Sequence, residues 1–450
     1  MCIFATAIAA PVGEGARAST SEPEPTAGTE AVAPLPSNAD IVSAAEGDND
    51  AGEEEPEEDA PCRTLNRWLL GDCWSARTGV SVQGWLAQGF TFNPDCPPDR
   101  FNGPVGFNDR ANEYQLNQLY ATIERAAPSD AGRFSLGFRG DVIYGTDAFQ
   151  FQALGLDDRI VSDAGSRFYK VAFPQLYVEA FLPVGRGLTA QIGKWYALVG
   201  YEWGLATEDF FYSHTIGFNP SAYTHTGVLL SYDLADQLSA SYGIHRGNDV
   251  WEDNNTSWSH TANATWTSRD ERTSVYVAVA LGPEQDSRAD WQDLDGLPGA
   301  DAPGENLERV VYSVTLEQQL SEKLHYVLNH DGFYQEGSAR YEIDRGEAYG
   351  FTQYLFYEVS EKLALGLRYE ILRDDDGYVA YGYRSLNTAA PGLYTNLTLG
   401  ANYRWGTCVT IRPEVRWDWQ DRDDPADPAA FDGGSSVSQF LLATDIVMRF

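Results

Sequence analysis

VSQFLLATDIVMRF, residues 437–450, is the stretch from which the rest of this chain is read. Taken at every second position, Phe440, Leu442, Ile446, Met448 and Phe450 share one face, interrupted only by Thr444. Gln439, Ala443, Asp445 and Arg449 fall on the other. A period of two with one apolar face marks a β-strand. A closed membrane barrel often ends on such a strand, because its last strand must pair with its first. The competing expectation is the final strand of a soluble β-sandwich.

The 450 residues include 13% aromatic and 22% charged side chains, and no run of eighteen apolar residues occurs. That excludes a helical membrane protein but not a barrel, since only half of each barrel strand faces lipid. A formal charge of −35 argues against a nucleic-acid partner, which would need a basic face. Residues 1–61 hold 14 acidic residues and one basic, leaving 52 acidic and 30 basic for the remainder. Within that segment, residues 1–10 read as a clipped or atypical export signal, apolar but without a basic start. Residues 11–61 read as an acidic disordered tail, too poor in apolar surface to offset chain entropy.

From Gly79 onward the sequence alternates in segments of about ten residues. Sixteen strands are expected: 79–92, 112–126, 134–145, 169–183, 187–199, 225–234, 237–247, 257–268, 273–282, 307–319, 322–333, 349–359, 362–373, 393–405, 407–420 and 437–450. Short connections rich in turn-formers or charge, such as LPVGRG, DLADQ and VSEK, alternate with long ones. The long ones are 93–111, 146–168, 200–224, 283–306, 334–348, 374–392 and 421–436. A closed antiparallel transmembrane β-barrel over 62–450, with short periplasmic turns and long extracellular loops, accounts for this asymmetry. The inferred location is a bacterial outer membrane, with its lipids as the first partner. Of the five cysteines, Cys62 and Cys73 are the expected bridge, with Cys408 as a competitor for either and Cys96 on the opposite membrane side.

The apolar phase of each strand assigns the inner face. On 407–420, Val409, Ile411, Val415, Trp417 and Trp419 point out, which turns Arg412, Glu414 and Arg416 inward. Arg368 and Glu370, Arg404, and Arg139 with Asp141 share that inward phase. An arginine or lysine at the lipid midplane would cost about 2–4 kcal/mol, so these residues take the lumen. A lumen carrying that much charge is expected to be wet, because dry burial of several ions is prohibitive. The loop 200–224 is unusually aromatic for a solvent-exposed segment, with Tyr201, Trp203, Phe210, Phe211, Tyr212, Phe218 and Tyr223. Folded into the lumen it would narrow the bore and set Glu202, Glu208 and Asp209 across from the arginines; packing at the barrel mouth or a trimer contact is the alternative.

Three stretches carry a resemblance: GFNDRANEYQLNQLY (106–120), GFRGDVIYGTDA (137–148) and GKWYALVGYEWGLATEDFFYSHTIGFNPSAYTHTGVLLSY (193–232). They resemble the OmpL-like family of β-barrel porins, in particular members from planctomycete-type bacteria. The resemblance covers roughly residues 75–250 and implies an outer-membrane channel of a diderm bacterium, without catalytic residues to carry over.

No HExxH, CxxC pair or phosphate-cradling glycine loop accompanies the six histidines, and the aspartate runs in the loops lack calcium-loop spacing. No catalytic residue, metal ligand or cofactor is therefore expected. The expected function is passive diffusion of small hydrophilic solutes or ions through a water-filled pore, monomeric or homotrimeric. Its constriction is assigned to Arg139, Asp141, Glu202, Glu208, Asp209, Arg368, Glu370, Arg404, Arg412, Glu414 and Arg416. The alternative function is a structural outer-membrane anchor with a plugged lumen and an acidic tail that binds cell wall.

Overall fold

The computed structural model describes residues 68–128, 132–161, 168–284, 307–338, 343–379 and 390–450. A short helix, α1 (Asp72–Thr78), leads into β1 (Ser81–Phe92), β2 (Tyr114–Arg125) and β3 (Ser135–Gly145). The next stave is broken into β4 (Lys170–Ala172) and β5 (Leu176–Leu182), both paired to β3. Pro174 stands in the break and has no N–H to give the ladder. Then come β6 (Leu188–Tyr196), β7 (Thr224–Ala235), β8 (Leu238–Asn248), β9 (Ser259–Thr267), β10 (Thr273–Pro283) and β11 (Glu308–Ser321). The wall finishes with β12 (Leu324–Ser338), β13 (Ile343–Ser360), β14 (Leu363–Asp374), β15 (Gly392–Trp405), β16 (Val409–Asp421) and β17 (Ser438–Arg449).

Each stave is antiparallel to the next, and β17 pairs with β1 from Trp85↔Arg449 to Phe92↔Leu442. Gly84 and Phe450 exchange both backbone hydrogen bonds, at 3.0 and 2.9 Å, so the seam is closed to the last residue. With β4 and β5 counted as one, sixteen staves form a closed barrel, and the soluble sandwich is ruled out. Closure leaves no row of unpaired N–H and C=O groups in the hydrocarbon, where each would cost several kcal/mol.

The alternation of β17 is that of a lipid-facing stave. Leu442, Thr444, Ile446 and Met448 are exposed, whereas Gln439, Leu441, Ala443, Asp445 and Val447 are buried inside. Trp405 at the short-turn end and Trp419 at the other are exposed, the two depths at which aromatic side chains meet headgroups. All sixteen expected strands coincide with a stave, to within a few residues except that β12 runs on to Ser338, past the expected 333, and β13 begins at Ile343, before the expected 349.

Two staves had no clean alternation in sequence, each for a physical reason. In β2 a bulge opposite Ala87 and Gln88 of β1 turns both Asn117 and Gln118 inward. One extra residue reverses the phase of everything beyond it. In β13 both faces are aromatic: Tyr349, Phe351 and Tyr357 face lipid, while Tyr354 and Phe356 pack inside. The expectations for residues 1–10 and 11–61 lie outside the described residues. So does the proposed Cys62–Cys73 bridge, for which neither side chain is described; Cys96 is a free, exposed thiol and Cys408 is disulfide-bonded.

Ile446→Arg, on the lipid face, should lower unfolding stability in a bilayer by about 2–4 kcal/mol, whereas Ser239→Arg, on the inner face, should leave it nearly unchanged. Urea titration of bilayer-folded protein distinguishes the two.

Candidate functional site

The loop joining β6 to β7, residues 197–223, turns into the barrel and is gripped on the far side. β14 is the eighth stave on from β6, half-way round the wall. Inward side chains there alternate in sign, and each sign takes the backbone group it can bond. The arginines bond carbonyls: Arg368 donates to Ser213 O, Arg412 to Asp209 O and Phe211 O, and Arg416 to His214 O. The glutamates accept from N–H groups. Glu414 takes those of Tyr212 (3.0 Å) and Ser213 (3.2 Å), and Glu370 takes those of Ile216 (3.0 Å) and Gly217 (2.7 Å). Charge-assisted bonds of this kind are roughly twice as strong as neutral ones, and here they satisfy loop groups that lie away from water.

The bulge in β2 supplies a second grip. Gln118 donates to Gly204 O and accepts from Ala206 N, while Asn117 accepts from the Tyr212 hydroxyl at 2.9 Å. Both amides also donate to Asp147, whose carboxylate closes this network. The apolar side chains of the loop are seated in the wall. Phe210 lies 4.9 Å from Phe356 and Tyr201 4.8 Å from Tyr354, ring centre to ring centre. Opposite Phe210, Phe211 and Tyr212 the wall places Gly366, Gly400 and Gly89, where a Cβ would stand 3.0 Å or less from those rings.

His214 ties the loop to itself. Its ring packs against those of Phe107 and Phe218, at 4.1 and 4.9 Å between ring centres. Nε2 faces two acceptors, Trp203 O at 2.7 Å and Asp209 Oδ2 at 3.1 Å, and therefore carries hydrogen. Burial works against the imidazolium, but the bond and charge of Asp209 and the charge of Glu202 outweigh it and raise His214 above the ordinary histidine value. Burial likewise opposes charge on Glu202, yet Arg368 and then His214 hold its carboxyl below the usual range. For Asp209 burial prevails and pushes the carboxyl up.

A sequence profile of the family described as "Putative beta-barrel porin-2, OmpL-like" matches residues 79–450. The chain belongs to this family. It is an outer-membrane porin, a barrel through which small hydrophilic solutes diffuse passively. No curated protein matches its sequence. Among solved structures it is similar to OprB of Pseudomonas putida, at 11% identity over 86% of this chain and 99% of that one, with a TM-score of 0.54. It is also similar to an anion-selective porin from Comamonas acidovorans (11%, 82% and 99%, TM-score 0.51). A third is the trimer form of OmpT of Vibrio cholerae (12%, 82% and 99%, TM-score 0.50). At these identities the likeness is one of fold.

Within this porin the sequence-assigned residues fall into separate groups. Arg368, Glu370, Arg412, Glu414 and Arg416 meet Glu202 and Asp209 around the loop, with Arg368 and Glu202 in contact at 2.8 Å. Arg139 and Asp141 form a different network at 3.0 Å, shared with Glu124 and with the Tyr120 hydroxyl. Arg404 sits at the short-turn edge, 3.6 Å from Glu358 and donating to Glu361 O. Glu208 touches Thr207. One expectation needs correcting: the charges of β14 and β16 do not face open water, since Arg368 and Arg416 are 0% exposed and Glu370 1%. Pairing and loop bonds meet the cost that made dry burial look prohibitive.

Sequence reasoning turned Asp418 inward beside Arg416 but did not assign the counter-ions of two arginines. Arg412 donates to Asp445 at 2.8 Å and Arg416 lies 2.8 Å from Asp418. The period-two phase already turned both aspartates inward, and opposite charges at adjacent inner positions were the available signal. Asn117 and Gln118 had none, because the bulge hides their shared direction.

Arg416→Met leaves Asp418 buried without its cation and should destabilise the loop side by about 3–5 kcal/mol, read as lower unfolding stability and faster proteolysis within 197–223. Because His214 holds its proton more tightly folded than unfolded, its contribution is full below the free-histidine value and fades as pH rises through the raised value. Loop protection from proteolysis should therefore weaken on the alkaline side, and His214→Gln should remove that step.

Proposed function

We propose that the 197–223 loop is the constriction of the diffusion path, with the inner-wall charges of β14 and β16 as its anchors rather than its solute contacts. The observation that carries this is the span of the loop, from β6 to staves half-way round the wall, fixed there by bonds to its backbone. A segment held at both sides of a bore has to be passed by any solute. Passage needs an aqueous gap and a favourable field, not a nucleophile, so no reaction and no cofactor are assigned. Glu202, Glu208 and Asp209 bring carboxylates to the constriction. Arg139 with Asp141, and Arg404, belong to the wall of the path away from the anchor. The assembly we propose is a homotrimer, on the precedent of the neighbour described in a trimer form.

In planar bilayers the purified full chain should give stable ohmic channels. Replacing Ala206–Phe211 by two glycines should raise single-channel conductance, and unchanged conductance would take the loop out of the path. Crosslinking of the protein in outer-membrane fragments should trap a three-chain species; a single-chain species alone would contradict the trimer.

A further inference from the structure

Charge on the inner wall is divided unevenly. On the anchor side each arginine of β14 and β16 is in contact with a carboxylate: Arg368 with Glu202, Arg412 with Asp445, and Arg416 with Asp418. Elsewhere, Arg139 contacts two carboxylates, Asp141 and Glu124, and Arg404 faces Glu358. These five cations are balanced or outnumbered where they stand, and three of them are buried. They project little positive field into the bore.

The short-turn halves of β7 to β12 are different in kind. Their inward positions include the half-buried hydroxyls Ser231, Ser239, Thr265 and Ser274. The carboxylates Asp233 and Glu317 are half-buried among the same inner positions, and no lysine or arginine stands on these half-staves among the described residues. His325 lies 3.5 Å from Glu317 and is the one basic side chain at the inward positions of these half-staves among the described residues. Arg186, in the neighbouring turn between β5 and β6, is bonded to the exposed Asp236. In an outer-membrane barrel this end opens to the periplasm. A path bounded here by hydroxyls and carboxylates, facing the carboxylate-paired arginines of β14 and β16, carries a negative potential that low-dielectric walls concentrate.

Resting on the reading of this barrel as an open porin, we infer that it passes small cations in preference to anions, and that Asp233 and Glu317 determine that preference. Both carboxylates belong to the vestibule and neither holds the loop, so neutralising them changes the field without releasing the constriction. The selectivity is electrostatic and therefore weakens with salt, since the screening length falls from about 10 Å at 0.1 M to about 3 Å at 1 M.

The test is the reversal potential of the full chain in planar bilayers under a potassium chloride gradient, for the wild type and for Asp233→Asn combined with Glu317→Gln. The wild type should favour potassium, more strongly in dilute than in concentrated salt. The double variant should open with similar conductance and lose about half of its potassium-to-chloride permeability ratio. A wild type that favours chloride overturns the inference whatever the variant does. An unchanged ratio in an open double variant removes the two residues from their role. No channel events from folded wild type would overturn the porin reading and this inference with it, which separates the two failures.

Discussion

The loop inside the barrel depends on one arrangement: charged side chains of the wall bonded to the uncharged backbone of the loop. Arg368, Arg412 and Arg416 reach carbonyls, and Glu370 and Glu414 reach N–H groups. A loop carried into a narrow bore loses water from its peptide groups, and each unsatisfied group would cost about 1–3 kcal/mol. The wall replaces that water. Its own ions are desolvated in turn, and Asp445, Asp418 and Glu202 balance the three arginines. Removing either partner leaves the other buried and uncompensated, so wall and loop stand or fall together.

This pairing also says where function can reside. Side chains committed to holding the loop are buried, out of reach of a passing solute. What remains available is the half-buried surface of the loop itself and the hydroxyl and carboxylate surface of β7 to β12. The glycines at 89, 366 and 400 let three loop rings sit flush against the wall, which turns a flexible connection into a fixed partition.

The barrel was readable from its sequence because lipid imposes a strict rule. Every second residue must be apolar, and Leu442, Ile446 and Met448 obey it without help from neighbours in space. The alternation of short and long connections followed from the same geometry. The inner face was readable only by elimination: phase turned Arg412 and Glu414 inward but could not say what they would touch. Whether an inward arginine meets water, an aspartate or a carbonyl depends on a loop some two hundred residues away in sequence. Asn117 and Gln118 were hidden for another reason, since a bulge is one surplus residue that only the partner strand reveals. The aromatic content of 200–224 was a sound signal that the loop packs against something, because exposed rings are costly in water. Its target had to come from the coordinates.

A single thiol placed on the loop tests the account most directly. With Cys96, the free thiol among the described residues, replaced by Ser and that parent recorded as the control, Glu208→Cys puts a half-buried thiol on the segment that crosses the bore. Adding a bulky thiol reagent during single-channel recording should lower the current in discrete steps as each channel reacts. Complete modification with no change in current would place the loop outside the route of the ions and contradict the account.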